Sequence, residues 1–111
     1  MLPTVLNHAA GPEATFTLAV DPDLEVFRGH FPGHPVLPGV VQVDWAIRLG
    51  TRAYGALGGF RGIDQLKFHA PILPGDVVDL CLAFDPGRGR LSFRYQAGAV
   101  RKSSGVVLFA R

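Results

Sequence analysis

Residues 40–57 read VVQVDWAIRLGTRAYGAL, and their spacing decides the fold. Apolar or small side chains recur at Val43, Ala46, Ile47, Gly50, Ala53, Tyr54 and Leu57, a period near 3.6 that predicts one long amphipathic helix. Pro38-Gly39 opens it, and the pair Gly58-Gly59 is expected to stop it. Upstream, residues 14–20 (ATFTLAV) alternate, with Ala14, Phe16, Leu18 and Val20 on one face, as a half-buried strand requires. Downstream, FRGIDQLKF (60–68), DVVDLCLAF (76–84), RLSFRYQAGA (90–99) and GVVLFA (105–110) read as strands separated by PILPG, DPGRG and an RKSS turn. The last three strands form an expected antiparallel meander. A long helix followed by a run of strands is an α+β plan in which an antiparallel sheet wraps the helix. Gly50 then marks the close approach of helix to sheet.

The chain has 111 residues, 48% hydrophobic and 18% charged, which suits a single domain over 1–111 with its own core. Cys81 stands alone, so a disulfide scaffold is excluded. The composition is too apolar for disorder, and no run approaches the roughly 20 apolar residues of a membrane span. The opening MLPTVLNHAAGPEA lacks the basic and apolar regions of a secretory signal, so a cytoplasmic location is expected. The net charge of +2 comes from basic residues scattered along the chain. No groove-reading motif or basic stripe accompanies them, and no nucleic-acid partner is expected. Such a surface does suit an acidic protein or a phosphate-bearing carrier.

Residues 28–39, RGHFPGHPVLPG, carry too many Gly and Pro for a regular element and must form an ordered loop. His30 and His34 are four apart, but the intervening FPG keeps them off a helix, so helical zinc geometry cannot form and no metal site is expected. His30 sits beside the apolar Phe31 and Pro32 in a rigid setting, available either as a base or as a cap for loop carbonyls. His8 and His69 have no partner in sequence and are expected to play no special role. Asp44 shares a helix face with apolar side chains, where a carboxyl must be paired or neutral. Burial would leave it protonated and able to donate. Attraction to the helix dipole, under about 1 kcal/mol, is the plainer explanation of an acid there. At Gly39 and Val40 the first helical turn offers unpaired N–H groups to an oxyanion, and Gly39 lets a carbonyl come close.

Two stretches, FRGHFPGHPVLPGVVQVDWA (27–46) and GIDQLKFHAPILPGD (62–76), resemble the signature segments of β-hydroxyacyl-(acyl carrier protein) dehydratases, the FabA/FabZ-type enzymes of the hotdog superfamily. The wording PGVVQVDWAIRL more closely resembles the small dehydratase-like subunits of aryl polyene and related lipid clusters. The resemblance implies a hotdog fold and a dimer, of like or homologous subunits, whose sheets join. It implies His30 as base, Asp44 as acid and the Gly39 N–H as carbonyl donor, with base and acid from opposite subunits. Phe31, Pro32, Val40, Trp45 and Arg48 are the expected substrate contacts. No cofactor is implied, because the substrate is carried on the phosphopantetheine of an acyl carrier protein or of CoA. Two positions depart from the pattern: Arg48 replaces the usual Gln, and Trp45 replaces a small residue. A hotdog thioesterase is one alternative. A non-catalytic partner subunit is another, kept open by Arg48, whose cation favours the ionised carboxylate of Asp44.

Overall fold

A computed structural model describes residues 1–28 and 35–111. His30, Phe31 and Pro32 lie outside the described residues. The chain runs β1 (Thr4–Ala9), β2 (Ala14–Ala19), a 3-10 turn (Glu25–Phe27), α1 (Gly39–Tyr54), β3 (Phe60–Phe68), β4 (Val77–Asp85), β5 (Arg90–Ala97) and β6 (Val100–Phe109). The strands form a six-stranded antiparallel sheet in the order β1-β2-β4-β5-β6-β3, with α1 packed across β4 and β5. This is the hotdog plan expected from the sequence, and β4-β5-β6 is the expected meander. No helix among the described residues is long and apolar enough to cross a membrane.

The core lies between the helix and the face of the sheet it covers. Phe16 and Leu18 of β2, Leu80 and Leu82 of β4, and Leu91 and Tyr95 of β5 are fully buried against Trp45, Ala46 and Leu49 of α1. Gly50 allows the close approach expected of it, since a Cβ there would lie 2.9 Å from Leu91 Cδ2.

Two expectations are corrected, and one strand is added. The helix stops at Tyr54, not at Gly58-Gly59, because Gly55 takes φ +82° and its N–H closes the last turn on Thr51 O at 2.9 Å. Leu57 continued the helical period only because it enters the core from the following loop. RKSS (101–104) is not a turn but part of β6, paired with β5 through Tyr95 and Ser103. The chain instead reverses at Gly98, whose φ of +57° suits a two-residue hairpin. Finally, β1 was not foreseen: a bulge between Val5 and Asn7 breaks the alternation of this mostly exposed edge strand.

Candidate active site

Because α1 rests on β4 and β5 while β3 lies two strands further at the sheet's edge, the helix leaves the near side of β3 uncovered. The gap is an apolar groove of about 460 Å³. Val40, Val43, Asp44 and Ile47 line it from the helix, one face at successive turns. From the strand come Phe60, Ile63, Leu66 and Phe68. Strict alternation would not put those four on one side, but register shifts between Phe60 and Gly62 and between Asp64 and Lys67 reset the phase twice. Gln65, at the second shift, has φ +53°.

Asp44 is the carboxyl of this groove. Its side chain is 48% exposed, so the expected burial is not met in the single chain. Its Oδ2 instead accepts a hydrogen bond from Arg48 Nε at 2.9 Å, one turn along the helix. The sequence alternatives were paired or neutral, and the pair is what forms. Val40, 77% exposed, presents its side chain to the groove. Trp45 does not: it is fully buried in the core, and its indole N–H donates to Met1 O at 3.1 Å. Its expected place among the substrate contacts is therefore corrected. Positions 42, 45, 46 and 49 share the sheet-facing side of the helix, and the N-terminal segment supplies the acceptor that an indole needs when buried.

The first turn of α1 is held rigidly. Gln42, one of two buried polar side chains among the described residues, donates through Nε2 to Leu37 O at 3.0 Å and accepts from Ser103 Oγ at 2.6 Å. Its backbone carbonyl accepts the Tyr95 hydroxyl at 2.6 Å. The phenol of Tyr95 is pushed well above its ordinary range by complete burial, and further by the negative charge of Asp44. Leu37 is itself tied to the sheet side by its N–H on Ile72 O at 2.8 Å. Pro38 O takes the N–H groups of Val41 and Gln42, while those of Gly39 and Val40 find no acceptor among the described residues. These two amides are the candidate oxyanion donors.

Two features escaped the sequence reading. A Cβ on Gly39 would run into Phe68 Cζ, so the glycine makes room for this ring as well as for any ligand. On the far side of the ring lies a second groove of about 370 Å³, which shares Gly39 and Phe68 and brings in His69. Phe68 and His69 lie in the 62–76 stretch that carries the family resemblance, but nothing in the sequence says that the end of β3 returns to the start of α1. Among the described residues, no group of three or more His, Cys, Asp or Glu side chains could hold a metal ion.

Comparison with known proteins agrees with this architecture. A family model described as the ApeI dehydratase, ApeI-like, matches residues 7–106. A chain of the dehydratase heterocomplex ApeI:P from Xenorhabdus doucetiae superposes with a TM-score of 0.92 at 34% identity, covering 100% of both chains. Two proteins named 3-hydroxyacyl-[acyl-carrier-protein] dehydratase FabZ are each 33% identical. The one from Acidiphilium cryptum matches over 91 residues, 74% of this chain and 53% of that protein. The one from Moorella thermoacetica covers 96% of this chain and 81% of that protein. The chain spans about half the length of several of these curated relatives. With one helix laid on a six-stranded antiparallel sheet and a family match across nearly its whole length, the chain belongs to the ApeI-like family of hotdog-fold proteins.

Proposed function

We propose that this protein dehydrates a β-hydroxyacyl thioester, carried on an acyl carrier protein or CoA, to the trans-2-enoyl thioester. The observation that carries the reading is the juxtaposition of one carboxyl, Asp44, with the first-turn amides of Gly39 and Val40, which find no acceptor among the described residues, on a single apolar groove. Relatives named as dehydratases support it.

In this reading the acyl chain lies in the groove between α1 and β3, and the thioester oxygen meets the Gly39 N–H at the positive end of the helix. His30, by its place in the GHFPG motif, removes the α-proton as base. Asp44, in its acid form, gives a proton to the β-hydroxyl as the Cβ–O bond breaks. The Cα–H electron pair becomes the new double bond, and the hydroxyl leaves as water. Returning the proton from the imidazolium to the carboxylate restores both groups, so no electrons are gained or lost and no cofactor is called for. A positioned acid or base contributes about 10² to 10⁴ in rate, and one oxyanion donor about 10² to 10³.

The partner in this proposal is a second hotdog subunit, joined along β3 and supplying the base that faces Asp44. A second reading, a non-catalytic subunit of a heterodimeric dehydratase, is favoured by one observation: the Arg48 pair occupies an oxygen of the carboxyl that must donate. The heterocomplex neighbour is in keeping with it. The deciding experiment incubates the chain, alone and with a hotdog partner encoded beside it, with 3-hydroxyacyl thioesters of short and medium length, and follows the absorbance of the conjugated enoyl product. Loss of activity in both His30→Ala and Asp44→Asn, with the fold retained, supports catalysis by this chain. Full activity of both variants inside a working heterocomplex assigns the chemistry to the partner, and release of free thiol would replace dehydration by thioester hydrolysis.

A further inference from the structure

We propose that Phe68 is the gate of this site: its ring rests on Gly39 where the two grooves meet, and it turns aside to let a thioester lie across the first turn of α1. The inference deepens the proposed function and rests on it. The ring lines both grooves, 460 Å³ on the helix side and 370 Å³ on the other, and Gly39 is likewise common to both. With the ring in place they are two pockets, and without it they are one channel across the candidate oxyanion amides. The ring fills the space where a Cβ of residue 39 would stand, so it covers the backbone the thioester must reach.

Phe68 has freedom to move in its side chain and little in its backbone. Its main chain is registered against Ser103 in β6, and the next two N–H groups, of His69 and Ala70, both bond Lys102 O at 2.9 and 3.1 Å. The side chain, by contrast, is 54% exposed and stacks on no aromatic ring among the described residues. Rotation about its side-chain torsions gives up the contact with Gly39, and exposed rotamers exchange rapidly. The chemistry of the two pockets says what each receives. The α1–β3 groove is walled by aliphatic and aromatic side chains and takes the acyl chain. The second groove, lined largely by Val36, Leu37, Pro38, Ala70 and Pro71 but holding the His69 imidazole, is left for the arm of the thioester. Phe68 therefore faces the α-carbon of the acyl group and restricts its substitution.

The test labels the protein with 4-fluorophenylalanine and assigns the Phe68 signal by its loss in Phe68→Leu. Adding a saturated acyl pantetheine thioester, which cannot react, is expected to move the Phe68 fluorine resonance along with that of Phe60 at the groove's other end. In parallel, Phe68→Ala is expected to raise kcat/KM for a 2-methyl-3-hydroxyacyl thioester relative to the unbranched one by roughly tenfold or more, since one methyl group is worth about 10- to 200-fold in a fitted pocket. Thioester binding with a stationary Phe68 resonance overturns the gate, as does an unchanged branched-to-unbranched ratio in an active Phe68→Ala enzyme. Movement of the resonance without turnover in the unsubstituted protein leaves the gate standing and defeats the dehydratase reading. Absence of thioester binding overturns both.

Discussion

Tyr95 joins the core to the site, and its chemistry can be read out by pH. Complete burial, and then the charge of Asp44, hold its phenol well above the ordinary 10.0. Since the folded-state value is raised, the contribution to stability is fully present below pH 10 and fades as pH climbs from there toward the folded-state value. Urea melts at increasing alkaline pH are expected to show that loss, and Tyr95→Phe should flatten it while costing about 1 kcal/mol near neutrality for the hydrogen bond to Gln42 O. An identical alkaline limb in the variant would detach Tyr95 from it. Arg48 invites the opposite kind of test, because its pair with Asp44 is exposed and exposed helical pairs stabilise by only about 0.3–0.5 kcal/mol. Arg48→Gln should leave the melting curve nearly unmoved. If this chain is catalytic, freeing the Asp44 carboxyl should raise kcat by about tenfold, a fraction of the roughly 10² to 10⁴ that a positioned acid supplies; unchanged kcat would make the pair mere surface solvation.

At the scale of elements, two glycines separate backbone conformation from packing. A Cβ at Gly55 or at Gly62 would meet nothing within 4 Å, but Gly55 holds φ +82° as the helix stop, whereas Gly62 has no such conformation. Gly55→Ala is therefore expected to destabilise by about 1–3 kcal/mol and Gly62→Ala to change little, measured as midpoints in urea. Equal effects would show that α1 does not end where Gly55 places it. The same distinction explains what was legible. The helix and the β4-β5-β6 meander could be read because each buries one face at a constant period. The groove wall of β3 could not, because its two register shifts scatter Phe60, Ile63, Leu66 and Phe68 across both phases of a strand. In the site, Asp44 stood out as a lone acid among apolar neighbours, and Val40 followed from the same face. Trp45 was misplaced because a helical wheel does not reveal that the N-terminal segment covers that sector. Gln42 and Ser103 gave no signal, since a polar pair 61 residues apart is visible only once α1 and β6 meet.

The whole molecule presents an incomplete surface along β3. Among the described residues this nine-residue strand is hydrogen-bonded on one side, to β6, and its Phe60, Ile63 and Leu66 are exposed. An edge strand that long and that apolar, covered by no helix or loop among the described residues, invites a second strand. Pairing there would continue the sheet into a second hotdog subunit and roof the α1–β3 groove, taking Asp44 out of the solvent that reaches it in the single chain. Assembly and site formation should therefore fail together. Ile63→Arg, which sets a charge on the groove wall without touching the core, is expected to leave the far-ultraviolet circular dichroism unchanged, to halve the mass seen by light scattering during gel filtration, and to abolish turnover of a 3-hydroxyacyl thioester. The same substitution should prevent capture by a heterologous hotdog partner if the native assembly is mixed. A variant that keeps the mass of the unsubstituted protein would move the interface away from β3, and a monomeric variant that retains full activity would mean that the groove needs no roof.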